Sequence, residues 1–284
     1  MAEVLFEQFR LSLRVREQLG LFSEYDSTTR DEWIRILFSM DVEFMHYGSL
    51  YHYVPKPAEE SSKLVIGRLG RKTYTQRNTT PETGLEDYID ETWRASVVVV
   101  DPSEHSDGQK VAMQRLSDVG SPISLLPRLL VALEEAIESE TPFLTSINPI
   151  ANQQAFRDWV TKNKGKVTRV SFFLDVPNMY SADDEFDKEM KEFRDLEKAQ
   201  KVKIEVSSPD GIDTGSKRIT YTAEKAMERG TGKVTAKAMG KNNTFSSHKK
   251  QKKVKIQIDD EGNETPLVDR VEAHSNRIFG RDED

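Results

Sequence analysis

The apolar residues of this chain change their period at Pro142, and no other feature restricts its fold as much. Before that point, short extended runs with two-residue alternation dominate. After it, runs of strand period and helix period follow one another. Val4–Val15 alternates with one slip of phase. Thr28 or Thr29, followed by Asp31 and Glu32, predicts a capped short helix with Trp33, Ile34, Leu37 and Phe38 on its buried side. Asp41–Val54 is rich in aromatics and predicts a hairpin turning at Gly48-Ser49. Leu64–Thr75 is extended and is interrupted by Gly67 and Gly70. Trp93–Val100 predicts a strong strand, and the loop DPSEHSDG leads to its hairpin partner, Gln109–Leu116. A helix opens at Pro122, with Leu126, Leu129, Leu130, Leu133 and Ile137 in one apolar stripe.

Beyond Pro142 the expected elements are a strand over Phe143–Ile150 and a helix over Asn152–Asn163, ended by Gly165. A strand over Val167–Val176 follows, with Val170, Phe172, Leu174 and Val176 on one face. Next come an acidic amphipathic helix over Asp183–Gln200, a strand over Val202–Val206 and a helix over Ile212–Arg229, at least from Arg218 onward. The expected class is therefore α+β. A β-rich antiparallel domain (1–140) ends in a linking helix, a small α+β sandwich of ferredoxin-like character occupies 141–260, and an acidic tail covers 261–284.

Composition narrows the function classes. The 284 residues are 36% apolar and 31% charged, with a formal net charge of -7. The strongest apolar run, Val97–Val100, is far short of the ~20 residues that span a bilayer. Without cysteine the chain has no disulfides, thiolate metal sites or cysteine nucleophile. The N-terminal stretch has neither signal-peptide nor transit-peptide character, so a cytoplasmic protein with no membrane partner is expected.

Against this acidic background, one stretch gathers lysine. Lys233, Lys237, Lys241, Lys249, Lys250, Lys252, Lys253 and Lys255 lie between Glu228 and Asp259, with no carboxylate among them. Two β-prone runs, Lys233–Ala238 and Lys253–Ile258, frame a polar loop and predict a basic hairpin with Phe245 at its tip. Such a surface attracts phosphates, and Phe245 would stack on a base or wedge between base steps. Arg169, Arg218 and Arg229 would extend it. Lysines of this kind also serve on edge strands to block sheet-to-sheet aggregation.

Catalytic patterns fit poorly. Gly230-Thr231-Gly232-Lys233 resembles a phosphate-binding loop, but Met227 and Val234 stand where the spacing needs Gly and Ser or Thr. Asp101, Glu104, His105 and Asp107 crowd one loop without a defined metal geometry. Asp175, Glu205 and Lys203 would serve a metal-dependent nuclease only with the acid-x-Lys order reversed. His46 and His52 are placed in an aromatic cluster with Tyr47, Tyr51 and Tyr53.

The segment TSINPIANQQAFRDWVTKNKGKVTRVSFFLDVPN, the acidic helix and VKIEVSSPDG, within Thr141–Ile258, resemble in element order the C-terminal part of RexA-like phage-exclusion proteins and related phage-defence components. The resemblance implies DNA binding within a bacterial antiphage module and carries over no individual residue. The expectation is a non-catalytic DNA-backbone-binding protein, without cofactor or metal, that uses the eight lysines and Phe245. An interaction subunit of a multiprotein complex, docked through its acidic helix and tail, is the alternative. Oligomeric state is left open.

Overall fold

The computed structural model describes residues 2–16, 28–57, 62–105, 108–137, 141–175, 188, 192–193, 195–199, 201–228, 232–258 and 267–281. The protein is α+β, built on one large antiparallel sheet and one small one. The large sheet comprises β1 (Ala2–Val15), β2 (Val42–His46), β3 (Ser49–Pro55), β4 (Val65–Asn78), β5 (Asp87–Asp101), β6 (Lys110–Gln114), β7 (Phe143–Pro149) and β12 (Lys253–Ile258). Its order is β12-β1-β6-β5-β4-β3-β2, and β7 pairs with the second half of β1.

The slip of phase in β1 has a physical reason, because both faces of that strand are covered. Phe9, Leu11 and Leu13 join one core under α1 (Arg30–Phe38) and α2 (Pro122–Glu135), whereas Phe6 joins a second core on the other face. Thr29 caps α1 in a capping box with Glu32. The apolar stripe of α2 is buried as its spacing requires. Gly67 does not interrupt β4; a Cβ there would come within 2.6 Å of the Tyr53 ring, so only glycine leaves room for that buried tyrosine.

The small sheet follows α3 (Gln153–Lys162). It contains β8 (Val167–Asp175), β9 (Lys201–Ser207), β10 (Gly232–Ala238) and β11 (Thr244–Ser246), in the order β11-β10-β8-β9. Helix α4 (Lys217–Glu228) lies between β9 and β10 in the chain. Val170, Phe172 and Leu174 of β8 and Val234 and Ala236 of β10 pack against Phe156 of α3 and Ile219, Ala223 and Met227 of α4. Among the described elements, β7, α3, β8, β9, α4 and β10 follow the β-α-β-β-α-β order, but β7 pairs with the large sheet rather than with this one. Most of the acidic helix expected over Asp183–Gln200 lies outside the described residues, as do Arg229 and the Gly230–Thr231 part of the phosphate-loop-like stretch.

The division expected at 140 and 260 does not follow the sheets. β7 and β12, both assigned by pattern to the second domain, pair with β1 of the first sheet. The segment 151–250 thus forms the small unit, inserted between two strands of the large sheet. The end of the chain also differs from a simple tail. In α5 (Leu267–Arg270) and α6 (Ser275–Phe279), Val268, Ile278 and Phe279 are buried with Phe6, Val97, Val99 and Ile256. Gln8 Nε2 donates to the Ile278 carbonyl, and Lys110 Nζ donates to that of Phe279 at 3.0 Å. Donors at the open carbonyl end of α6 satisfy groups that the helix itself leaves unpaired.

Candidate nucleic-acid interface

The basic hairpin exists, but it closes sooner than its composition predicts. β10 turns through Met239–Asn243, where Gly240 and Asn242 have positive φ, and returns as β11. The run Lys253–Ile258 instead becomes β12 and pairs with β1. A pairing partner that is distant in sequence has displaced the nearer one, and the lysine block is divided between two sheets.

The division sorts its residues. Lys233 and Lys237 lie on β10, and Lys241 sits exposed in the turn. Lys249 and Lys250 are exposed around a single 3-10 turn; the Asn152 N–H donates to the Lys250 carbonyl at 2.7 Å, which puts this turn beside the start of α3. Lys252 is exposed just before β12. Lys253 and Lys255 stand on β12, the edge strand of the large sheet, and Lys255 pairs with Glu3 at 3.0 Å. Cations on an edge strand discourage further strand pairing. Phe245 is not at an exposed tip: it is 4% exposed, with its ring 5.2 Å from Phe156 and 5.9 Å from Trp159. The short β11 turns this side chain toward the helices, because its alternate positions, Thr244 and Ser246, take the other face.

That other face is uncovered among the described residues. The β8, β9 and β10 registers place Arg169, Ser171 and Phe173 beside Lys203, Glu205 and Ser207 on one flank, and beside Lys233, Thr235 and Lys237 on the other. Lys201 has the same parity at the end of the ribbon. Among the described side chains, five cations thus share one sheet face with one carboxylate, that of Glu205, the remaining positions being mostly hydroxyl residues. At its centre Phe173 is 42% exposed, and Lys203 Nζ lies 5.5 Å from its ring centroid.

Glu205 is held by three neighbours. Lys203 Nζ is 3.0 Å away, Ser171 Oγ donates to it at 3.1 Å and Arg169 Nε lies at 3.4 Å. The Lys203 hydrogen bond, then that of Ser171, keeps its carboxyl below the usual range, with the Arg169 charge acting in the same direction. It serves as a brace for the two cations. Beside the face, His248 is pushed down to about 4, first by burial and then by the charge of Lys233. It is therefore neutral at physiological pH.

The other candidate sites are dispersed. Asp101 is tied to Arg281 and to His105 Nε2 at 3.0 Å, and Glu104 to Arg30 at 3.3 Å. Asp107 lies outside the described residues. His46 meets Tyr47 in a tilted contact and Tyr51 edge-on, whereas His52 is on the opposite face of the hairpin, between Asp41 and Glu43. Asp175 is four positions along β8 from the Ser171–Glu205 pair, about 13 Å at ~3.3 Å per residue. A single metal ion does not bridge that span. Arg218 is on α4, away from the open face.

Phe173 is a residue to which the lysine count does not point. The alternation that buries Val170, Phe172 and Leu174 requires Arg169, Ser171 and Phe173 to share the opposite face, and a phenylalanine in a polar row is the signal. No family model matches this chain, and no curated protein matches it. Among the described residues, no helix is long and apolar enough to cross a membrane.

Proposed function

We propose that this chain binds single-stranded nucleic acid, without catalysis, on the open face of the small sheet. One observation carries the reading: five cations surround an exposed phenylalanine on a sheet whose opposite face is sealed by helices. Lysine and arginine follow the phosphates, the Ser and Thr hydroxyls add hydrogen bonds, and Phe173 offers a ring to a base. An open face of a four-stranded sheet fits an extended single strand, whose bases are free to stack, better than a duplex. The face holds few groups that would read base edges, so affinity depends weakly on sequence.

The test is fluorescence anisotropy with labelled single-stranded DNA, single-stranded RNA and duplex DNA at several salt concentrations. Tight, salt-sensitive binding of the single strands, in preference to duplex, supports the reading. Equal or stronger duplex binding returns the lead to the lysines of β12 and the 3-10 turn. A place in an antiphage module follows from the resemblance to phage-exclusion proteins, and plaque counts with and without the chain test it.

A further inference from the structure

Strand β9 closes one side of the small sheet, and its outer edge pairs with nothing among the described residues. The Ser208 N–H donates to the Thr168 carbonyl at 2.9 Å. By the alternation of an antiparallel ladder, the even-numbered residues of β9 therefore turn their backbone groups to β8. Those of Lys201, Lys203, Glu205 and Ser207 point outward, a row of donors and acceptors open to another strand. Helices α3 and α4 lie toward the opposite edge: α4 packs on β8 and β10, and Phe156 of α3 meets Phe245 of β11. Of the described residues just before β9, Phe193 packs against the covered face. Cover is thin at β9 itself, where Val206 is 36% exposed and Val202 and Ile204 are only half-buried.

The order of side chains identifies the occupant. An edge that excludes partners carries one sign of charge, as β12 does with Lys253 and Lys255. β9, with the sequence KVKIEVS, instead sets cations and a carboxylate in step on its open face. When a second copy of β9 is laid antiparallel beside the first, centred on Ile204, all seven residues pair. Lys203 then opposes Glu205 on the open face, twice by symmetry, and Lys201 opposes Ser207. On the covered side Val202 opposes Val206, and Ile204 opposes its own copy. Opposite charges and apolar β-branched residues are pairs that stabilise a ladder. Centring one residue earlier sets Lys203 against Lys203, and one residue later sets Glu205 against Glu205. Charge thus selects the register on Ile204. The two-fold axis stands perpendicular to the sheet, so the helices of both copies lie on one side and the open faces on the other.

We propose that two copies of this chain pair antiparallel through β9, joining their four-stranded sheets into one continuous sheet with a shared open face. Each copy then places Lys203 beside Glu205 of the other, so the second copy completes the cationic surroundings of that carboxylate.

Sedimentation velocity across a micromolar concentration series, without nucleic acid, tests it, and circular dichroism confirms the folding of each variant. The full chain should dimerise. K203E and E205K each set like charges opposite one another in both symmetric pairs, and each should weaken self-association roughly tenfold or more. Mixed in equal amounts, the two should form a heterodimer, because every pair is again of opposite sign. The double variant K203E/E205K should dimerise as the full chain does. A chain that stays monomeric throughout the series, a dimer unaffected by K203E, or single variants that fail to associate on mixing would each overturn the proposal.

Discussion

The two sheets differ in what covers them. Around β1, β6 and β5, the large sheet is buried on both faces, by α1 and α2 on one side and by the C-terminal helices on the other. The small sheet has α3 and α4 on one face and nothing among the described residues on the other. The large sheet accordingly holds apolar residues at consecutive positions, as in Val97–Val100, all buried. The small sheet instead alternates apolar and polar residues along β8 and β10. A doubly covered strand is committed to stability, whereas a singly covered one presents a row of side chains in fixed register to a ligand. The cations of β8, β9 and β10 therefore have a geometry that the same residues in a loop would lack.

The largest expected effect breaks the covered side of this comparison. Phe279 is buried where α6 meets the large sheet, and F279A should cost about 3–5 kcal/mol of stability. Urea unfolding measures it. Single-strand binding by the protein that remains folded should be unchanged, because the open face lies on the other sheet. Loss of binding in step with stability would mean that the two sheets are functionally one.

Next in size is the open face itself. If about four phosphates are neutralised, counterion release from a single strand gives a slope of roughly -2.8 in log affinity against log salt, or about 50-fold between 50 and 200 mM. R169Q/K203Q/K233Q/K237Q should remove most of that slope. Changing Lys249, Lys250, Lys252 and Lys253 to Gln should remove much less. The reverse ranking would show that the lysines flanking β12, not the sheet face, meet the phosphates.

F173A isolates stacking from charge. It should weaken single-strand binding by about 1–3 kcal/mol while leaving the salt slope intact. F245A should act on the other face: removing this buried ring costs about 3–5 kcal/mol of stability. The pair therefore separates the two sides of one sheet by the measurement each one moves.

The smallest effect is a pH dependence. Because His248 is depressed to about 4 in the folded protein, its contribution to stability is present above about pH 6.5 and is lost as pH falls toward 4. Discounted for partial solvent exposure, the loss is about 1–2 kcal/mol. H248Q should flatten the difference in stability between pH 7 and pH 4.5, measured by denaturant midpoints. An unchanged profile would assign the acid sensitivity to other groups.

Local features were legible from residue order. A threonine cap at 28 or 29, the α2 stripe, the pairing of β5 with β6 and the buried row of β8 follow from spacing alone, because each is settled within one or two neighbouring elements. The same alternation held the position of Phe173, although lysine is densest elsewhere in the chain. Composition marked the Lys233–Lys255 region as basic but could not say that its two halves part company.

What tertiary structure alone decided is pairing and cover. Lys253–Ile258 could close on Lys233–Ala238 or travel to β1, more than two hundred residues away in the chain, and both partners are apolar strands of suitable length. Period two reports that a strand has two faces; it does not report which one a helix will seal. Phe245 and Phe173 stand on strands of the same small sheet, yet one packs between Phe156 and Trp159 and the other meets solvent. The difference comes from the position of α3 and α4, which is set by burial summed over the whole unit. That sum is non-local, so the sequence by itself determined which elements form, and only the packed chain determined which of their faces remained available.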